Sequence, residues 1–433
     1  MDHREAILTR SQAPAEMESY YRDLTRSEAK AFAAAMAELY TTSPDVPLIA
    51  AWHHRLRPQE RHPDVVRRWG FALVIGILTG LALWGLWPRG YVFGELSEVA
   101  ALPTWGAAVV AAGVVAYLGL AGRRLAAMGL AALAGLAGCA AYVWFVARPD
   151  GTPMEQQYAT LAYIHLPLLA YAAVALATLG WRSGARPRFA FLSKTVEVVF
   201  TGGVFAVVGG LFYGVTLGLF AALDIAWPIW LEQMVAMVGA GSLPVLAVAT
   251  VYDPTRPPEE QAFEVGLGRV VGILMRLLLP LALLVLGGYL VAIPFRFMEP
   301  FLQRDVLIVY NVLLFAVVGL LLAVIPLEWE PDDRMQRTLR TGIAALAGLT
   351  VLVSLYALAA VVTRTIWDGW TLNRLTVIGW NVLNTGALAL LEVRLARAWR
   401  EDWVASAQAA IRLGSAAYLV WGLVVILLLP WLF

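Results

Sequence analysis

The chain has 433 residues, of which 60% are hydrophobic and 15% are charged, and its formal net charge at pH 7 is +1. Soluble domains are about 45–50% apolar and about 25% charged, so this composition excludes a protein built only of soluble domains. The near-neutral charge balance excludes the strongly basic surface that binds nucleic acid, and we expect no nucleic-acid partner.

The first 68 residues are polar and helix-prone. Pro14 suits the first turn of a short helix, and Ser27 and Glu28 predict the start of a second one. The apolar residues of this second helix form one stripe: Phe32, Met36, Leu39 and Tyr40. Such a stripe predicts that the helix packs against another surface or lies on the membrane. We therefore expect residues 1–68 to be a cytoplasmic helical segment that ends in a basic collar, and residues 1–60 to be the contact for a possible protein partner.

A basic collar precedes the first apolar run. Its members are His53, His54, Arg55, Arg57, Arg61, His62, Arg67 and Arg68. The histidines could ligate a metal, but no cysteine or acidic cluster stands at ligand spacing, so a solvated collar is favoured and no metal site is expected. We expect Arg67 and Arg68, which adjoin the first span, to bind anionic lipid headgroups.

Residues 69–433 contain eleven hydrophobic runs of about 20 residues, the length needed to cross a ~30 Å hydrocarbon core. The predicted spans are 69–87, 103–120, 125–147, 158–181, 195–222, 226–251, 270–294, 306–326, 341–363, 372–392 and 410–433. The sequence therefore predicts an all-α polytopic membrane protein embedded in a lipid bilayer. The loop 252–261 divides spans 1–6, in residues 69–251, from spans 7–11, in residues 252–433.

Lysine and arginine alternate in number from one side of the predicted spans to the other. When Arg276 is not counted, 20 of the lysine and arginine residues in 55–433 lie on the side of the N-terminus and 6 lie on the opposite side. The six are Arg89, Arg148, Arg296, Arg304, Arg364 and Arg374. Cytoplasmic loops carry the basic excess, so we predict a cytoplasmic N-terminus and an outer C-terminus. Only Lys30 and Lys194 are lysines, a bias typical of GC-rich bacteria, so we expect a bacterial inner-membrane protein.

Ionisable side chains inside spans are the first candidates for function, because burying them in hydrocarbon is costly. Glu232 and Gln233 lie near the outer end of span 6. We expect Glu232 either to bind a cation or relay a proton, or to reach back to lipid headgroups. Arg276 in span 7 is interpreted as an anchor at the inner headgroups, with a buried counter-ion as the alternative. Glu197 and Glu392, at inner ends, are expected to contact water.

Asn381 and Asn384 lie three residues apart near the middle of span 10 and therefore on one helix face. A buried amide needs hydrogen-bond partners in hydrocarbon, so this face is predicted to point into the bundle. It provides either interhelical hydrogen bonds or a substrate or ion site. Tyr163 and His165 in span 4 form a similar patch, and we expect His165 to be either a hydrogen-bonded structural residue or a proton relay.

Glycine patterns mark spans 5 and 6. Gly210, Gly214 and Gly218 form two successive G-x-x-x-G steps on one face of span 5. This pattern predicts close packing against a neighbouring helix rather than a pore lining. In span 6 the segment from Gly239 to Pro244 could break or kink the helix in mid-membrane, as in some transporter sites.

Motifs for catalysis are missing from the sequence. The segment from Gly266 to Gly272 imitates a nucleotide loop, but it lacks the preceding strand and the required spacing. The single cysteine, Cys139, lies in an apolar span and is interpreted as a buried thiol. We therefore expect no cofactor and no enzymatic activity.

The second half of the chain carries an ordered set of motifs. They are Gly218-Leu-Phe-Ala-Ala-Leu-Asp224-Ile, Trp230-Leu-Glu232, Tyr252-Asp253-Pro254 before a Pro-Pro-Glu loop, Leu277-Leu-Leu-Pro280 and Gly369-Trp-Thr371-Leu-Asn373-Arg374. This order resembles the uncharacterised bacterial membrane family labelled domain of unknown function 4153, mainly over residues 190–433. The resemblance implies a multi-pass architecture and no particular activity. It draws attention to Thr371, Asn373 and Arg374, because polar loop residues in a lipid-dominated chain often have a function.

Three functions are compatible with these features. A secondary transporter or permease of a small solute is favoured by the number of spans and the sparse interior polar groups. A non-catalytic membrane subunit or scaffold is the alternative, favoured by the glycine face and the striped N-terminal helix. An interfacial lipid-modifying enzyme ranks last, because the acidic residues of the outer loops are scattered. They are Glu95, Glu98, Asp150, Glu155, Glu299, Asp305 and Asp368.

Overall fold

The structure is a computed structural model that describes residues 3–11, 13–43, 46–56, 63–87, 101–123, 127–147, 151–263, 267–302, 304–328, 334–398 and 401–432. The chain divides into two compact units, Met1–Arg68 and Trp69–Phe433. Regular structure in the described residues is helical throughout, which confirms the all-α prediction. Several residues discussed above lie outside the described part: Arg57, Arg61, His62, Arg89, Glu95, Glu98, Arg148, Asp150 and Gly266. The side chains of Ser27, Lys30, His54, Arg304 and Asp305 also lie outside it.

The first unit has a hydrophobic core of its own. Its helices are α1 (His3–Thr9), α2 (Pro14–Arg22), α3 (Arg26–Thr42) and α4 (Pro47–Leu56). The buried core consists of Ile7, Met17, Phe32, Met36, Leu39, Ile49 and Trp52. The stripe of the second predicted helix therefore packs, as predicted, and the surface that covers it is α1, α2 and α4 of the same unit.

Two polar arrangements complete this unit. Thr25 caps α3, because its hydroxyl accepts from the Glu28 backbone N–H at 3.4 Å while the Glu28 carboxylate accepts from the Thr25 N–H at 2.9 Å. The hydrogen bonds from Thr25 hold the pKa of Glu28 below its ordinary value. Arg55 pairs with Glu18 and lies 4.3 Å over the ring of Trp52. Arg55 therefore has partners within the unit, while its side chain stays 52% exposed.

Eleven helices in the described part are long and apolar enough to cross a membrane, as the sequence predicts. They are α5 (Pro63–Gly85), α6 (Ala101–Gly122), α7 (Ala127–Val146), α8 (Pro153–Leu179), α9 (Ala185–Ala222), α10 (Ile229–Val251), α11 (Leu267–Ala292), α13 (Arg304–Val324), α14 (Arg334–Asp368), α15 (Leu372–Arg397) and α16 (Trp403–Leu423). A short helix, α12 (Glu299–Leu302), precedes α13. A π-helical turn at Val424–Leu428 and a 3₁₀ turn at Leu429–Trp431 extend α16.

Two helices are much longer than their predicted spans. Helix α9 has 38 residues and α14 has 35. At about 1.5 Å per residue they are about 57 and 52 Å long, well beyond a ~30 Å hydrocarbon core. Hydropathy located only their apolar parts, 195–222 and 341–363, because the polar ends continue the same helices.

Helix α10 runs without interruption from Ile229 to Val251, with Pro244 inside it. The break considered for span 6 is therefore absent from this helix. Its glycine has a packing role instead, because a Cβ at Gly241 would lie 2.5 Å from the Cα of Gly80 on α5. The two backbones meet at a distance that only glycine permits.

The glycine face of α9 behaves differently from its prediction. A Cβ added at Gly210, Gly214 or Gly218 would have no atom within 4 Å among the described residues. All three glycines are exposed. The expected close approach of a neighbouring helix is therefore wrong for the described part of the chain, and this face is open there along the C-terminal half of α9.

Helices α13 to α16 form the part of the bundle that positions the candidate site. Helix α14 packs against α11, α13 and α15, and α15 packs against α16. Their shared core is made of close-fitting aliphatic side chains, among them Leu314, Val317, Ile343, Leu346 and Leu388. Polar groups in this region are therefore held in fixed positions by the packing around them.

Candidate functional site

A polar cavity of about 520 Å³ opens where α14 ends and α15 begins. We name it the α14–α15 cavity. Its lining residues are Gln157, Leu307, Ile308, Asn311, Val361, Arg364, Asp368, Thr371, Asn373, Arg374 and Val377. Two larger cavities, of about 620 and 810 Å³, are lined almost wholly by apolar side chains, which suits lipid chains. Polarity therefore separates the α14–α15 cavity, together with a second polar cavity described below, from these two apolar cavities.

A tight turn builds one wall of this cavity. Helix α14 ends at Asp368, and Gly369 follows with φ of +91°, a left-handed conformation that glycine adopts without strain. Thr371 then caps α15, its hydroxyl accepting from the Arg374 backbone N–H at 3.3 Å. The turn returns the chain so that the ends of α14 and α15 face the same space.

Arg374 is fixed by the turn that precedes it. Its Nη2 donates to Asp368 Oδ2 at 2.8 Å, and its Nη1 donates to the Gly369 carbonyl oxygen at 2.6 Å. Its side chain is 26% exposed, so solvent screens this ion pair only in part. The arginine is consequently held at the cavity wall with most of its charge balanced by Asp368.

Arg364 and Asn373, unlike Arg374, are not held by other side chains of the described structure. Both are half-buried, and both line the cavity. Within the described residues neither side chain has a hydrogen-bond or ion-pair partner. Their donors therefore remain available to a ligand in the α14–α15 cavity.

The floor of the cavity leads to the buried amides of α15. Asn311, on α13, lines the cavity, and its Oδ1 accepts from Asn381 Nδ2 at 2.9 Å. Asn381 Nδ2 also donates to the Val377 carbonyl oxygen at 2.9 Å. The Oδ1 of Asn381 is buried and has no hydrogen-bond partner in the described part of the chain. A polar acceptor therefore stands unsatisfied about 14 Å, or nine residues, below the start of α15.

A second group of polar side chains continues along the same face. Thr385 Oγ1 donates to the Asn381 carbonyl oxygen at 2.6 Å and also pairs with Ser354 of α14. Asn384 accepts a hydrogen bond from the hydroxyl of Tyr418 on α16. Asn381 and Asn384 are 1% and 0% exposed, which confirms that their face points into the bundle.

His165 joins this network through Trp380. The indole Nε1 of Trp380 donates to His165 Nε2 at 2.9 Å, and His165 Nδ1 lies 2.7 Å from the Leu161 carbonyl oxygen. The Trp380 ring meets Tyr418 edge to face. The structure thus brings His165, Asn381 and Asn384 into one connected region, although they lie on two helices far apart in the sequence.

The pair in span 6 lies elsewhere. Glu232 is half-buried in the first turn of α10, where its carbonyl oxygen accepts from Tyr213 at 3.2 Å. Gln233 is buried. Neither residue lines any of the polar cavities described here. Glu232 and Gln233, which the sequence offers as candidates for a substrate or ion pathway, therefore lie apart from the other candidates, Asn381 and Asn384.

A second polar cavity, of about 550 Å³, opens at the opposite ends of α13 and α14. We name it the α11–α14 cavity. Its polar lining consists of Ser193, Glu197, Arg276, Glu328 and Gln336. Arg276 is exposed on α11 and shares the cavity lining with Glu197 and Glu328. Arg67 and Arg68, the other two expected headgroup ligands, are half-buried at the start of the first span.

Glu197 is not water-exposed, contrary to expectation. It is 9% exposed and accepts from Lys194 Nζ at 2.7 Å, and that nitrogen also donates to the Ala262 carbonyl oxygen at 2.6 Å. The polar end of α9 is helical and packs against the 252–263 loop, and this packing buries both side chains, although Glu197 still lines the α11–α14 cavity. The i, i+3 spacing of Lys194 and Glu197 was the available signal for this pair.

Several cavity residues were not recognised in the sequence. The sequence presents Arg364 only as a loop charge and Asp368 only as one of several scattered acids, and no pattern in it marks Asn311 or Gln157. Of the cavity lining, the sequence drew attention to Thr371, Asn373 and Arg374. Among the described residues, no group of three or more His, Cys, Asp or Glu side chains is arranged to hold a metal ion.

Comparison of the chain with protein-family models, with curated proteins and with solved structures found no match in any of the three. The resemblance to domain of unknown function 4153 therefore stays a prediction. The eleven long apolar helices of the described part of the chain identify it as a multi-pass membrane protein.

Proposed function

We propose that the protein is a non-catalytic permease that carries a small polar solute across the bacterial cytoplasmic membrane. The observation that carries this proposal is a pair of polar cavities at opposite ends of the same two helices. The α14–α15 cavity uses the beginning of α13 and the end of α14, and the α11–α14 cavity uses the end of α13 and the beginning of α14.

The region between the cavities is closed but not wholly apolar. Asn311 and Ala323, which line the two cavities, are separated along α13 by 12 residues, or about 18 Å. Aliphatic side chains fill this interval, and Ser354, Thr385 and Asn381 add a strip of small polar groups. A solute that leaves the α14–α15 cavity would meet these groups if α13 and α14 moved apart. The arrangement suits a carrier that opens alternately to each side.

The test measures solute flux before and after the α14–α15 cavity is blocked by a chemical label. The single native cysteine is first replaced, Cys139→Ala, and the purified protein is reconstituted into vesicles. Uptake of inorganic phosphate, succinate, glutamate, glucose and Na⁺ is then measured. In Asn373→Cys, a bulky maleimide should stop the flux that the unmodified variant supports. Ile366→Cys, exposed on α14 and outside the cavity lining, is the matched control and should tolerate the same label.

Equal flux through the labelled and unlabelled Asn373→Cys variant would overturn the assigned route. Glu232→Gln tests the coupling role expected from the sequence. Loss of ion-driven accumulation with retained solute exchange would support that role, and unchanged accumulation would remove it. The position of Glu232 outside both cavities favours unchanged accumulation.

A second candidate function is a membrane subunit that packs against a partner. The open glycine face of α9 favours it, because Gly210, Gly214 and Gly218 leave room for a helix to approach closely. Residues 1–60 are the proposed second contact. Since the α3 stripe is buried inside its own unit, a partner would bind the outer surface of that folded unit.

Native mass spectrometry after gentle extraction separates the two functions. A stoichiometric protein partner that is lost in Gly214→Leu, or on deletion of residues 1–60, would support the subunit function. Val215→Leu, at an exposed neighbouring position, is the control and should keep the partner. A protein that runs alone in all variants would contradict the subunit function.

A further inference from the structure

The charges of the α14–α15 cavity do not cancel. Asp368 balances Arg374 through the ion pair at 2.8 Å. Arg364 lines the same space and has no acidic partner among the described residues. The described lining therefore has an excess of one positive charge, located on a half-buried guanidinium.

The other polar groups of the cavity add to this preference. The first turn of α15 borders the cavity through Thr371, Asn373 and Arg374, so the positive end of a 26-residue helix dipole lies beside it. The Asn373 and Gln157 amides supply further donors without partners in the described structure. Asp368 is the only carboxylate in the described lining, and Arg374 already engages it.

The placement of these arginines also runs against the charge pattern of the whole chain. On the side predicted to be outside, residues 55–433 carry six basic residues, and two of them are Arg364 and Arg374. The positive-inside rule requires basic residues on the cytoplasmic side, so it does not explain two arginines on the opposite side. Their convergence on one cavity points to a ligand.

We propose that the α14–α15 cavity binds a phosphate or carboxylate anion, free or as the charged group of a larger solute. A guanidinium offers two parallel donors that match the geometry of these oxyanions, so Arg364 is the principal ligand and Arg374 and Asn373 complete the site. The volume of about 520 Å³ exceeds that of a single oxyanion and admits a small organic phosphate or dicarboxylate. This inference rests on the proposed function in that the bound anion is the carried solute.

Phosphate could reach the cavity from water or as a phospholipid headgroup. The experiment therefore has one arm for each source. Both arms use the full-length protein purified in a maltoside detergent. Ionic strength is held constant with chloride, because unspecific charge screening would otherwise imitate binding.

In the first arm, binding of inorganic phosphate and of succinate is titrated by thermal unfolding and by calorimetry. Arg364→Gln should weaken anion affinity about tenfold or more, the loss expected for one charge-assisted contact. Asp368→Asn should strengthen it severalfold, because it releases Arg374. Arg296→Gln, which removes an exposed arginine paired with Glu299 on the same predicted side, is the control and should leave affinity unchanged.

A poorly folded variant would only lose affinity, so the gain expected in Asp368→Asn cannot arise from misfolding. Weaker binding in Arg364→Gln together with tighter binding in Asp368→Asn supports the anion site. Tighter cation binding in Arg364→Gln and loss of it in Asp368→Asn would overturn it in favour of a cation site.

In the second arm, native mass spectrometry detects retained phospholipid in the wild type and in Arg364→Gln. One outcome is that the wild type retains a phospholipid, Arg364→Gln does not, and neither protein binds free anions. This outcome supports an oxyanion site that binds a lipid headgroup, and the permease proposal then fails. Absence of both free anion and phospholipid overturns the oxyanion site. Flux of a neutral solute that is blocked at Asn373 would leave the permease proposal standing in that case.

Discussion

The indole nitrogen of Trp380 donates a hydrogen bond to Nε2 of His165 at 2.9 Å across the interface of α15 and α8. An indole nitrogen only donates, so Nε2 must be the acceptor and Nδ1 carries the proton that faces the Leu161 carbonyl oxygen. Both nitrogens of the imidazole are therefore engaged while it is neutral. Protonation of Nε2 would break the contact with Trp380. This geometry favours the structural role of His165 over the proton relay.

Replacement of Trp380 by phenylalanine tests this bond. Trp380→Phe leaves Nε2 of His165 buried without a donor, and we expect a loss of about 1–3 kcal/mol in the free energy of unfolding. Trp370→Phe removes an indole that is 60% exposed and should change stability by less than about 0.5 kcal/mol. Equilibrium unfolding in mixed micelles measures both. Equal losses in the two variants would show that the Trp380 bond contributes nothing of its own.

Two glycines of α10 provide a matched pair for close packing. A Cβ at Gly241 would lie 2.5 Å from the Gly80 Cα, whereas a Cβ at Gly239 would meet no described atom within 4 Å. Gly241→Ala should therefore destabilise the protein by about 1–3 kcal/mol through overpacking. Gly239→Ala should be neutral, or stabilising by up to about 1 kcal/mol. The same unfolding assay checks both, and a stable Gly241→Ala variant would contradict the contact of α5 with α10.

The buried pair of Lys194 and Glu197 predicts a non-additive result. Lys194→Met leaves a buried carboxylate without its partner and should cost about 3–5 kcal/mol. The double variant Lys194→Met/Glu197→Leu removes both charges and should recover much of that loss. Arg186→Met breaks an exposed pair with Glu328 and should cost no more than about 1 kcal/mol. Glu197→Leu is also measured alone. If the losses in the free energy of unfolding of the two single variants add up to the loss of the double variant, Lys194 and Glu197 are not coupled.

The first unit should be acid-sensitive through Glu18. The hydrogen bond from Arg55 holds the pKa of Glu18 below its ordinary value of 4.5. A depressed pKa in the folded state gives stabilisation that is complete above 4.5 and is lost as the pH falls through the lower, folded-state pKa. Hydrogen exchange of α2 and α4 in the full-length protein, corrected for intrinsic rates, should show protection falling in that range.

Two variants define the size of this effect. Glu18→Gln and Arg55→Gln should each lower protection at neutral pH by less than about fivefold, since the pair is solvent-exposed. Both should also flatten the acid dependence, because each removes the same interaction. An unchanged acid dependence in both variants would exclude this ion pair as the cause.

Features with a local physical origin were predictable from the sequence. The eleven spans were located because hydropathy over some 20 residues measures the free energy of transfer into lipid, which needs no knowledge of neighbours. The inward face of Asn381 and Asn384 was predictable for the same reason, since an amide facing lipid is costly. The predicted ends of α9 and α14 were wrong because a helix continues past the hydrocarbon when its polar residues still favour helix.

Features that depend on contacts between distant segments were not predictable. Nothing in the sequence pairs Asn311 with Asn381 or His165 with Trp380, because such partners are chosen by how whole helices pack. The G-x-x-x-G pattern of α9 shows the same difficulty. The pattern indicates that a helix can approach this glycine face closely. Only the packed structure shows that none of the described helices does so.

Hydropathy along the chain is enough to predict a multi-pass helical membrane protein, because transfer into lipid is a sum over consecutive residues. That Arg364, Arg374 and Asn373 share one cavity with Asn311 became evident only from the packed helices. The same is true of the burial of Lys194 and Glu197 together. Cavities and buried pairs arise from the meeting of separate helices, and one-dimensional hydropathy carries no information about which helices meet.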